Sequence, residues 1–274
     1  MTTIRKKKLA PGAQNKRMKA NSDALWAAAR AGQVDACKVL IEAGADVNAR
    51  GAIDWTALMV AAHWGHTDLC KVLIGAGADV NVGDEDGLTA LLLAARRGNT
   101  DLCKLLIEAG SDVNCAEKSR DTALIEAVEH DLVDVCQLLI EAGADVNAKG
   151  VCDQTALMGA AKYGNADLCK VLIEAGADVN CVEKNGDTAL MYAVWKGGMK
   201  VSRMLIEAGA DVNCENANEE NALMFATDQN IRAYLSSIQQ SESLKAATPA
   251  PQPQGPTDEP CPKCGKIGPH RCRL

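Results

Sequence analysis

LCKVLIEAGADVN, from Leu168 to Asn180, returns along the chain in closely related copies at one fixed interval of 33 residues. Its closing asparagine marks that interval, because the same residue type stands at Asn48, Asn81, Asn114, Asn147, Asn180 and Asn213. A sustained period of this length is typical of a solenoid, whose units bury their apolar faces against their neighbours. The length of 274 residues therefore reflects the number of repeats, and it does not indicate how many globular domains the chain forms.

The stretch from Thr155 to Asn180 illustrates how local chemistry builds one repeat. Thr155 is predicted to cap a first helix whose Ala and Leu residues form a face of small side chains. Gly164 ends that helix, and Asp167 begins a second helix, where a negative charge suits the helix dipole. The second helix carries an apolar stripe and ends at Gly176, where a left-handed backbone is expected. The polar segment after Asn180 predicts a protruding turn.

This arrangement resembles the ankyrin-repeat family, whose pattern is a turn, T-P-L-H, a helix ending in G-H or G-N, a second helix and G-A-D-V-N. The matching stretch TALMVAAHWGHTDLCKVLIGAGADVN, residues 56–81, has five relatives in phase with it. The resemblance covers about residues 23–238 and implies an all-α ankyrin-repeat solenoid of about seven helix-turn-helix repeats of 33 residues, with disordered tails. One departure is consistent, since the family Pro is Ala here and the family His is Met59, Leu92, Ile125, Met158 and Met191.

The two ends of the chain differ in composition from the repeats. Residues 1–22 carry seven Lys or Arg and no acid, and they are predicted to be a disordered basic tail. The clusters Arg5–Lys8 and Lys16–Lys19 resemble a bipartite nuclear import signal, with a solvated basic arm as the alternative. Residues 239–260 are rich in Pro, Gln and Ser and predict a disordered linker. Trp26 is expected to cover the exposed end of the stack.

Charge and composition exclude several classes of ligand. Residues 23–240 hold 17 basic and 33 acidic residues, a balance of −16, so the repeats repel phosphate backbones and only the tails remain candidates for nucleic acid. With eight aromatic residues in the chain, a large aromatic-walled cavity for a small-molecule substrate is not expected. No hydrophobic run is long enough to cross a membrane. The predicted location is the cytoplasm, with the nucleus as the alternative.

Five of the twelve cysteines also follow the 33-residue interval, with Ser202 at the sixth equivalent position. Because each occupies one structural slot on the apolar stripe of a second helix, it is expected to serve as a small buried hydrophobe. Equivalent slots one repeat apart exceed the Cα separation of about 7 Å that a disulfide can span. The in-phase thiols are therefore predicted to be reduced, as in a reducing compartment: Cys37, Cys70, Cys103, Cys136 and Cys169.

The last fourteen residues, CPKCGKIGPHRCRL at 261–274, predict a small metal-binding motif. Three thiols and one imidazole make a complete tetrahedral zinc set, formed by Cys261, Cys264, His270 and Cys272. The motif resembles a Cys-Cys-His-Cys zinc knuckle, although its His-x-Cys pair is tighter than the knuckle pattern. The alternative is an unstructured cysteine-bearing tail that shares metal between chains. Zinc is the expected cofactor.

Catalysis is not predicted, because the chain has no phosphate loop, nucleophile elbow or zinc-protease helix motif. His63 and His66 could share a metal ion, but His66 fills the family's G-H turn position and His63 lies at the exposed end of a helix. An enzyme is therefore not the expected class.

Recognition is predicted at positions that vary between repeats on the turn tips and first helices, where the resemblance implies that partners bind. Six of the eight aromatic residues fall there and are expected to be interface anchors: Trp55, Trp64, Tyr163, Tyr192, Trp195 and Phe225. Acidic residues beside them predict a partner segment with basic residues, namely Asp54, Asp84, Glu85, Asp86, Glu126, Glu129 and Asp187. The alternative is that the rings wedge between helices and the acids solvate the turns.

These observations predict a non-enzymatic interaction scaffold or adaptor that holds a protein partner on its concave face. One alternative is a nucleic-acid-associated regulator, in which the basic tail and the zinc motif contact RNA or DNA. Another is a substrate-receptor subunit of a protein-modification complex, by analogy with the family alone. The sequence does not identify the partner.

Overall fold

The computed structural model describes residues 11–51 and 53–247, in which thirteen α-helices follow one another. They are α1 Pro11–Arg30, α2 Val34–Glu42, α3 Ala57–His63, α4 Thr67–Gly75, α5 Ala90–Arg96, α6 Thr100–Glu108, α7 Ala123–Glu129, α8 Val133–Glu141, α9 Ala156–Tyr163, α10 Ala166–Glu174, α11 Ala189–Trp195, α12 Met199–Glu207 and α13 Gln229–Ala247. A short 3-10 helix, Val151–Asp153, lies in the turn before α9. Strand pairing within this part of the chain is limited to isolated bridges.

The helices form two layers, which confirms the predicted all-α solenoid. Each first helix packs against the second helix of its own repeat and against the first helix of the next repeat, and the second helices contact one another in the same order. First helices contact each other more extensively than second helices do, so the stack curves with the first helices on its concave side. The turn tips lie at the beginning of each first helix, as the capping threonines predict.

The threonine caps form as the sequence predicts. The Thr155 hydroxyl accepts a hydrogen bond from the N–H of Met158 at 3.4 Å, and the N–H of Thr155 lies 3.5 Å from the Met158 sulfur. Thr188 and Met191 repeat this arrangement. Methionine sulfur, a weak acceptor, thus takes a position near the cap where the family has histidine.

The core lies between the two layers and is built from small aliphatic side chains and thiols. Leucine fills the same first-helix position in consecutive repeats and is at most 1% exposed at Leu58, Leu91, Leu124, Leu157 and Leu190. The in-phase cysteines are completely buried and free, as expected. Burial raises the pKa of four of these thiols to about 12, and we call them the central thiols: Cys70, Cys103, Cys136 and Cys169.

The recurring asparagine joins each repeat to the next. The Asn180 side-chain oxygen accepts a hydrogen bond from the N–H of Asp211 at 2.8 Å, and its amide donates to the carbonyl of Gly209 at 3.0 Å. The same pair of bonds occurs at Asn48, Asn81, Asn114 and Asn147. Both bonds end on backbone groups about 30 residues further on, so this side chain sets the spacing between neighbouring repeats.

Both ends of the stack differ from the sequence prediction. Helix α1 begins at Pro11, so residues 11–22 are helical where a disordered tail was expected. The Asn21 amide donates to the carbonyl of Ala43, and the Ser22 hydroxyl accepts from the N–H of Asp46, both at 3.0 Å. These bonds hold α1 against the loop after α2. At the other end α13 continues to Ala247, because no proline interrupts it before Pro249.

The seventh repeat is incomplete. Residues 221–228 form turns where the other repeats have a first helix, because the segment before Asp228 is too short for two helical turns. The Asp228 carboxylate then accepts hydrogen bonds from the N–H groups of Asn230 and Ile231, at 2.8 and 3.0 Å, and caps α13. Phe225 therefore lies in a turn and not on a helix.

Candidate partner-binding surface

Three positions near the end of each first helix from α3 to α11 line the concave surface, the third at or just after the last helical residue. The first position holds Val60, Leu93, Glu126, Gly159 and Tyr192. The second holds His63, Arg96, Glu129, Lys162 and Trp195, and the third holds Trp64, Arg97, His130, Tyr163 and Lys196. Aromatic side chains therefore occur near both ends of the stack, whereas charged side chains occupy its middle.

The six predicted aromatic residues divide into two groups by exposure. Trp64, Tyr163 and Trp195 are 53%, 51% and 60% exposed, as free anchors would be. Trp55, Tyr192 and Phe225 are half-buried. Exposed rings and rings packed between neighbouring repeats thus both occur, and the six predicted residues do not share one environment.

Two of the half-buried rings are held by hydrogen bonds to the turn tips. The Trp55 indole N–H donates to the Asp84 carboxylate of the next repeat at 2.7 Å. The Tyr192 hydroxyl accepts from the Gln154 amide of the preceding repeat at 3.1 Å. Because each bond spans two repeats, both rings have a fixed orientation before any partner arrives.

The first depression, which we call the N-terminal groove, lies between the first and second repeats. Its volume is about 260 Å³, and its lining is mostly apolar and aromatic: Trp26, Arg30, Ile53, Trp55, Val60, His63 and Trp64. The His63 ring centroid lies 5.2 Å from that of Trp55 and 5.4 Å from that of Trp64. His63 thus joins the two indoles into one surface.

The protonation state of His63 follows from its neighbours. The Arg97 guanidinium lies 2.9 Å from the His63 Nε2 and has only donors to offer, so that nitrogen accepts. Burial lowers the pKa of His63, and the positive charges of Arg97 and Arg96 lower it further. The imidazole is therefore neutral near pH 7. The rings of Trp55, His63 and Trp64, which we call the floor of the N-terminal groove, are thus uncharged, and Arg30 is the charged residue of the lining.

A second depression, the C-terminal groove, extends from the fifth to the seventh repeat and also has a volume of about 260 Å³. It is lined by Lys162, Asp187, Met191, Tyr192, Trp195 and Phe225. Four of these six side chains are apolar or aromatic, and its two charged residues are of opposite sign. This groove brings together three of the predicted anchors.

The middle of the surface does not support Glu126 as a partner contact. Glu126 is 5% exposed, and Arg96 donates to its two carboxylate oxygens at 2.8 and 2.5 Å. Glu126 is thus part of a buried ion pair between repeats. Glu129 is exposed, as predicted, and partial burial together with the charges of Glu126 and Asp121 raises the pKa of its carboxyl.

One group of potential metal ligands occurs among the described residues, formed by Glu117, Asp121 and Glu126. Arg96 already contacts two of its carboxylates, since it also lies 3.4 Å from Glu117. The guanidinium takes the place that a cation would need. The group is therefore explained as an ion-pair network.

The acidic turn tips, which we define as Asp54, Asp84, Glu85 and Asp86, line a polar depression of about 290 Å³ together with Ile53. Asp54 pairs with Arg50, and Asp86 lies 3.1 Å from the Lys118 ammonium. Glu85 is exposed and forms no ion pair with the described residues. Ile53 lines both this depression and the N-terminal groove, so the two are continuous.

Sequence reasoning missed Trp26, Ile53 and Val60 as lining residues of the N-terminal groove. Trp26 does not cover the end of the stack as expected; it is half-buried and packs over the turn of the second repeat. A Cβ at Gly51 would overlap its indole, so only glycine fits there. Glycine at this turn position was not a sufficient signal, because Gly150 occupies the equivalent position of a later repeat and has Asp121 and Ile125 beside it, not an indole.

The predicted zinc ligands Cys261, Cys264, His270 and Cys272 lie outside the described residues. None of the helices in residues 11–247 is long and apolar enough to cross a membrane.

Comparisons with known proteins agree with this architecture. A family model described as ankyrin repeats (3 copies) matches residues 6–84, 58–150 and 148–216. No curated protein matches the chain. The crystal structure of the ankyrin repeat domain of Bcl-3, described as a unique member of the IkappaB protein family, is similar with a TM-score of 0.70 and 25% sequence identity. The match covers 77% of this chain and 97% of that chain.

Proposed function

The chain belongs to the ankyrin-repeat family, and on that premise we propose that it is a non-enzymatic scaffold that binds a partner protein on its concave surface. The repeats and the similarity to the Bcl-3 domain support a role in protein interaction. The observation that carries the proposal is the exposure of Trp64 and Trp195, at 53% and 60%, beside preformed apolar grooves. Desolvation of large aromatic side chains is a major source of binding energy at protein interfaces.

The organisation of the surface supports this proposal. Exposed apolar side chains that cluster on one face are typical of interaction sites. Fixed rings such as Trp55 and Tyr192 lose little conformational entropy on binding, because their hydrogen bonds already restrain them. The exposed rings then supply most of the area that becomes buried.

We also propose that the C-terminal set Cys261, Cys264, His270 and Cys272 binds zinc. Its three thiols and one imidazole match the ligand number and softness that zinc prefers in structural sites. The buried free thiols of the repeats are compatible with the cytoplasm, which we propose as the location, with the nucleus as the alternative.

The test of the scaffold uses single truncations in the full chain. A partner is captured from cell extract with the wild-type chain, identified and purified, and its affinity is measured for Trp64→Ala, Trp195→Ala and Val39→Ala. Val39 is the control, because it is 63% exposed on a second helix, away from the concave surface. At least one tryptophan variant is expected to weaken binding by about 5-fold or more, while Val39→Ala leaves it unchanged.

Urea unfolding of the same variants separates an interface role from a core role. The tryptophan variants are expected to unfold as the wild type does, because their rings are already in contact with water. Lost stability with intact binding would contradict the proposal and assign the rings to the core.

A further inference from the structure

We propose that the N-terminal groove and the acidic turn tips together bind a partner segment in which a large apolar side chain lies close to a lysine or arginine. This inference rests on the proposed scaffold function and specifies the chemistry of the partner. It follows from the size of the groove, the uncharged rings of Trp55, His63 and Trp64 that line it, and the acidic charge of its margin; Arg30 is the one charged residue of the lining.

The size of the N-terminal groove indicates a side chain and not a small-molecule ligand. Its volume of about 260 Å³ is below the approximately 300–1,000 Å³ that small-molecule sites occupy. Two of its lining residues, Ile53 and Trp64, are 55% and 53% exposed, so apolar surface remains for a partner to cover. One large aliphatic or aromatic side chain is the occupant that fits.

The floor of the groove favours an apolar occupant over a charged one. His63 is neutral because its Nε2 accepts from Arg97, and it lies between two indole rings. Trp55 has already satisfied its N–H with Asp84. An apolar side chain can therefore enter without breaking the hydrogen bonds of Trp55 and His63.

The margin of the groove supplies the charge complementarity. The four acidic residues of the turn tips face two bases, Arg50 and Lys118, which leaves a net charge of −2. Glu85 has no ion-pair partner among the described residues, so its charge is available. A lysine or arginine of the partner would gain attraction there, whereas an acidic residue would be repelled. The C-terminal groove lacks this selectivity, because Lys162 and Asp187 balance each other.

The spacing of the two side chains in the partner follows from the repeat geometry. The groove and the acidic depression share Ile53 and are about one repeat apart, or about 8–10 Å for packed helices. A segment in the polyproline II conformation rises about 3.1 Å per residue and presents every third side chain to the same face. The apolar and basic residues are therefore expected about three positions apart.

Charge also disfavours the other macromolecular occupants. Two copies of this chain would bring together repeat regions with a balance of −16 each, and a nucleic acid would add further negative charge. The basic cluster Arg5–Lys8 of the chain itself has the right sign. That intramolecular occupant is distinguished by deleting residues 2–10.

The experiment selects binders from a random peptide library displayed on phage, with the full chain as bait. Selected peptides are expected to carry Leu, Ile, Phe or Trp about three positions from Lys or Arg. A selected peptide is then synthesised with a fluorescent label, and its affinity is measured by anisotropy. Trp64→Ala is expected to weaken binding about tenfold, and Glu85→Lys about fivefold at low salt.

Two matched controls accompany these variants. Trp195→Ala is measured in addition, to detect peptides that bind in the C-terminal groove. As controls, Val39→Ala removes an exposed apolar side chain from a second helix, away from the concave surface, and Glu219→Lys makes the same charge change as Glu85→Lys at an exposed turn tip of the seventh repeat. Both are expected to leave the affinity unchanged. The fivefold effect of Glu85→Lys is expected to shrink as salt screens the charge.

Three outcomes overturn the inference. The inference is overturned if the selected peptides lack a basic residue or if Glu85→Lys does not change their affinity. If such peptides lose affinity with Trp195→Ala, the scaffold function still stands. Binding that appears only after deletion of residues 2–10 assigns the groove to the chain's own basic cluster. Peptides that respond to neither tryptophan variant contradict both the inference and the concave-surface scaffold.

Discussion

Replacing Ser202 by cysteine is expected to stabilise the sixth repeat. Ser202 lies in α12 at the position that five other repeats fill with cysteine, and it is 0% exposed. Its hydroxyl has no hydrogen-bond partner among the described residues, whereas its backbone N–H donates to the carbonyl of Gly198. The sixth repeat therefore buries a polar group where the equivalent repeats bury sulfur.

The magnitude follows from the cost of that hydroxyl. A buried polar group without a partner costs about 1–3 kcal/mol, while a thiol in the same place behaves as a small hydrophobe. The equivalent cysteines are 0% exposed, so the slot accepts sulfur without forcing its neighbours apart. Allowing for imperfect repacking, we expect Ser202→Cys to raise the free energy of unfolding by about 1–2 kcal/mol.

The assay is urea unfolding of the full chain under reducing conditions, with hydrogen exchange of α12 as a local readout. Cys169→Ser is the reverse substitution in the fifth repeat and is expected to cost about the same 1–2 kcal/mol. Ser202→Ala removes the hydroxyl without adding sulfur, so a smaller gain is expected. The reasoning is refuted if Ser202→Cys destabilises the protein while Cys169→Ser is neutral, since the slot would then have no preference for sulfur.

Four further predictions concern the array, the thiols and the C-terminal motif. Leu157→Ala is expected to cost about 2–5 kcal/mol and to divide urea unfolding into two transitions, and one undisturbed transition would count against nearest-neighbour coupling. The pKa of the central thiols is 9.0 in the unfolded chain and about 12 in the folded protein, because burial disfavours the thiolate. Their contribution to the free energy of unfolding is therefore complete below about pH 9 and is lost as the pH rises towards 12. A urea midpoint that does not change over this pH range would contradict the prediction. The same thiols should show no disulfide when unreduced protein is alkylated and examined by mass spectrometry. The full chain is expected to bind one zinc ion, with an affinity that falls as the pH falls and with a tetrahedral thiolate spectrum on cobalt substitution. The double variant Cys261→Ser, Cys264→Ser should abolish binding. If His270→Ala leaves the affinity unchanged, His270 is not the fourth ligand.

The candidate surface could be predicted only in part from the sequence. Position in the repeat was enough to place Trp64 and Trp195 on the concave side, because equivalent positions of a stack share a face. The exposure of these rings could not be predicted from position in the repeat. Trp55 and Tyr192 were placed on the same surface by the same reasoning, but they are half-buried and hydrogen-bonded to Asp84 and Gln154. Exposure depends on the neighbouring repeat's side chain, which does not follow the period.

The periodic features of the fold were determined by the sequence alone, because each arises within a repeat or between identical neighbours. They include the start of each first helix after its threonine cap, the buried cysteine position of the second helices and the 33-residue spacing. Local capping, apolar stripes and glycine turns are short-range chemistry, and five or six copies of each make the pattern unambiguous.

Only the tertiary structure decided the features that depend on residues unlike their equivalents elsewhere. Helix α1 extends to Pro11 where its residues can bond to the loop after α2. Glu126 is withdrawn from the surface by Arg96 of the preceding repeat. The N-terminal groove exists because Trp26 packs over Gly51. Each of these contacts joins residues about 20–35 positions apart, and in each pair at least one residue differs from those at equivalent positions of the other repeats. A periodic sequence pattern carries no information about such pairs.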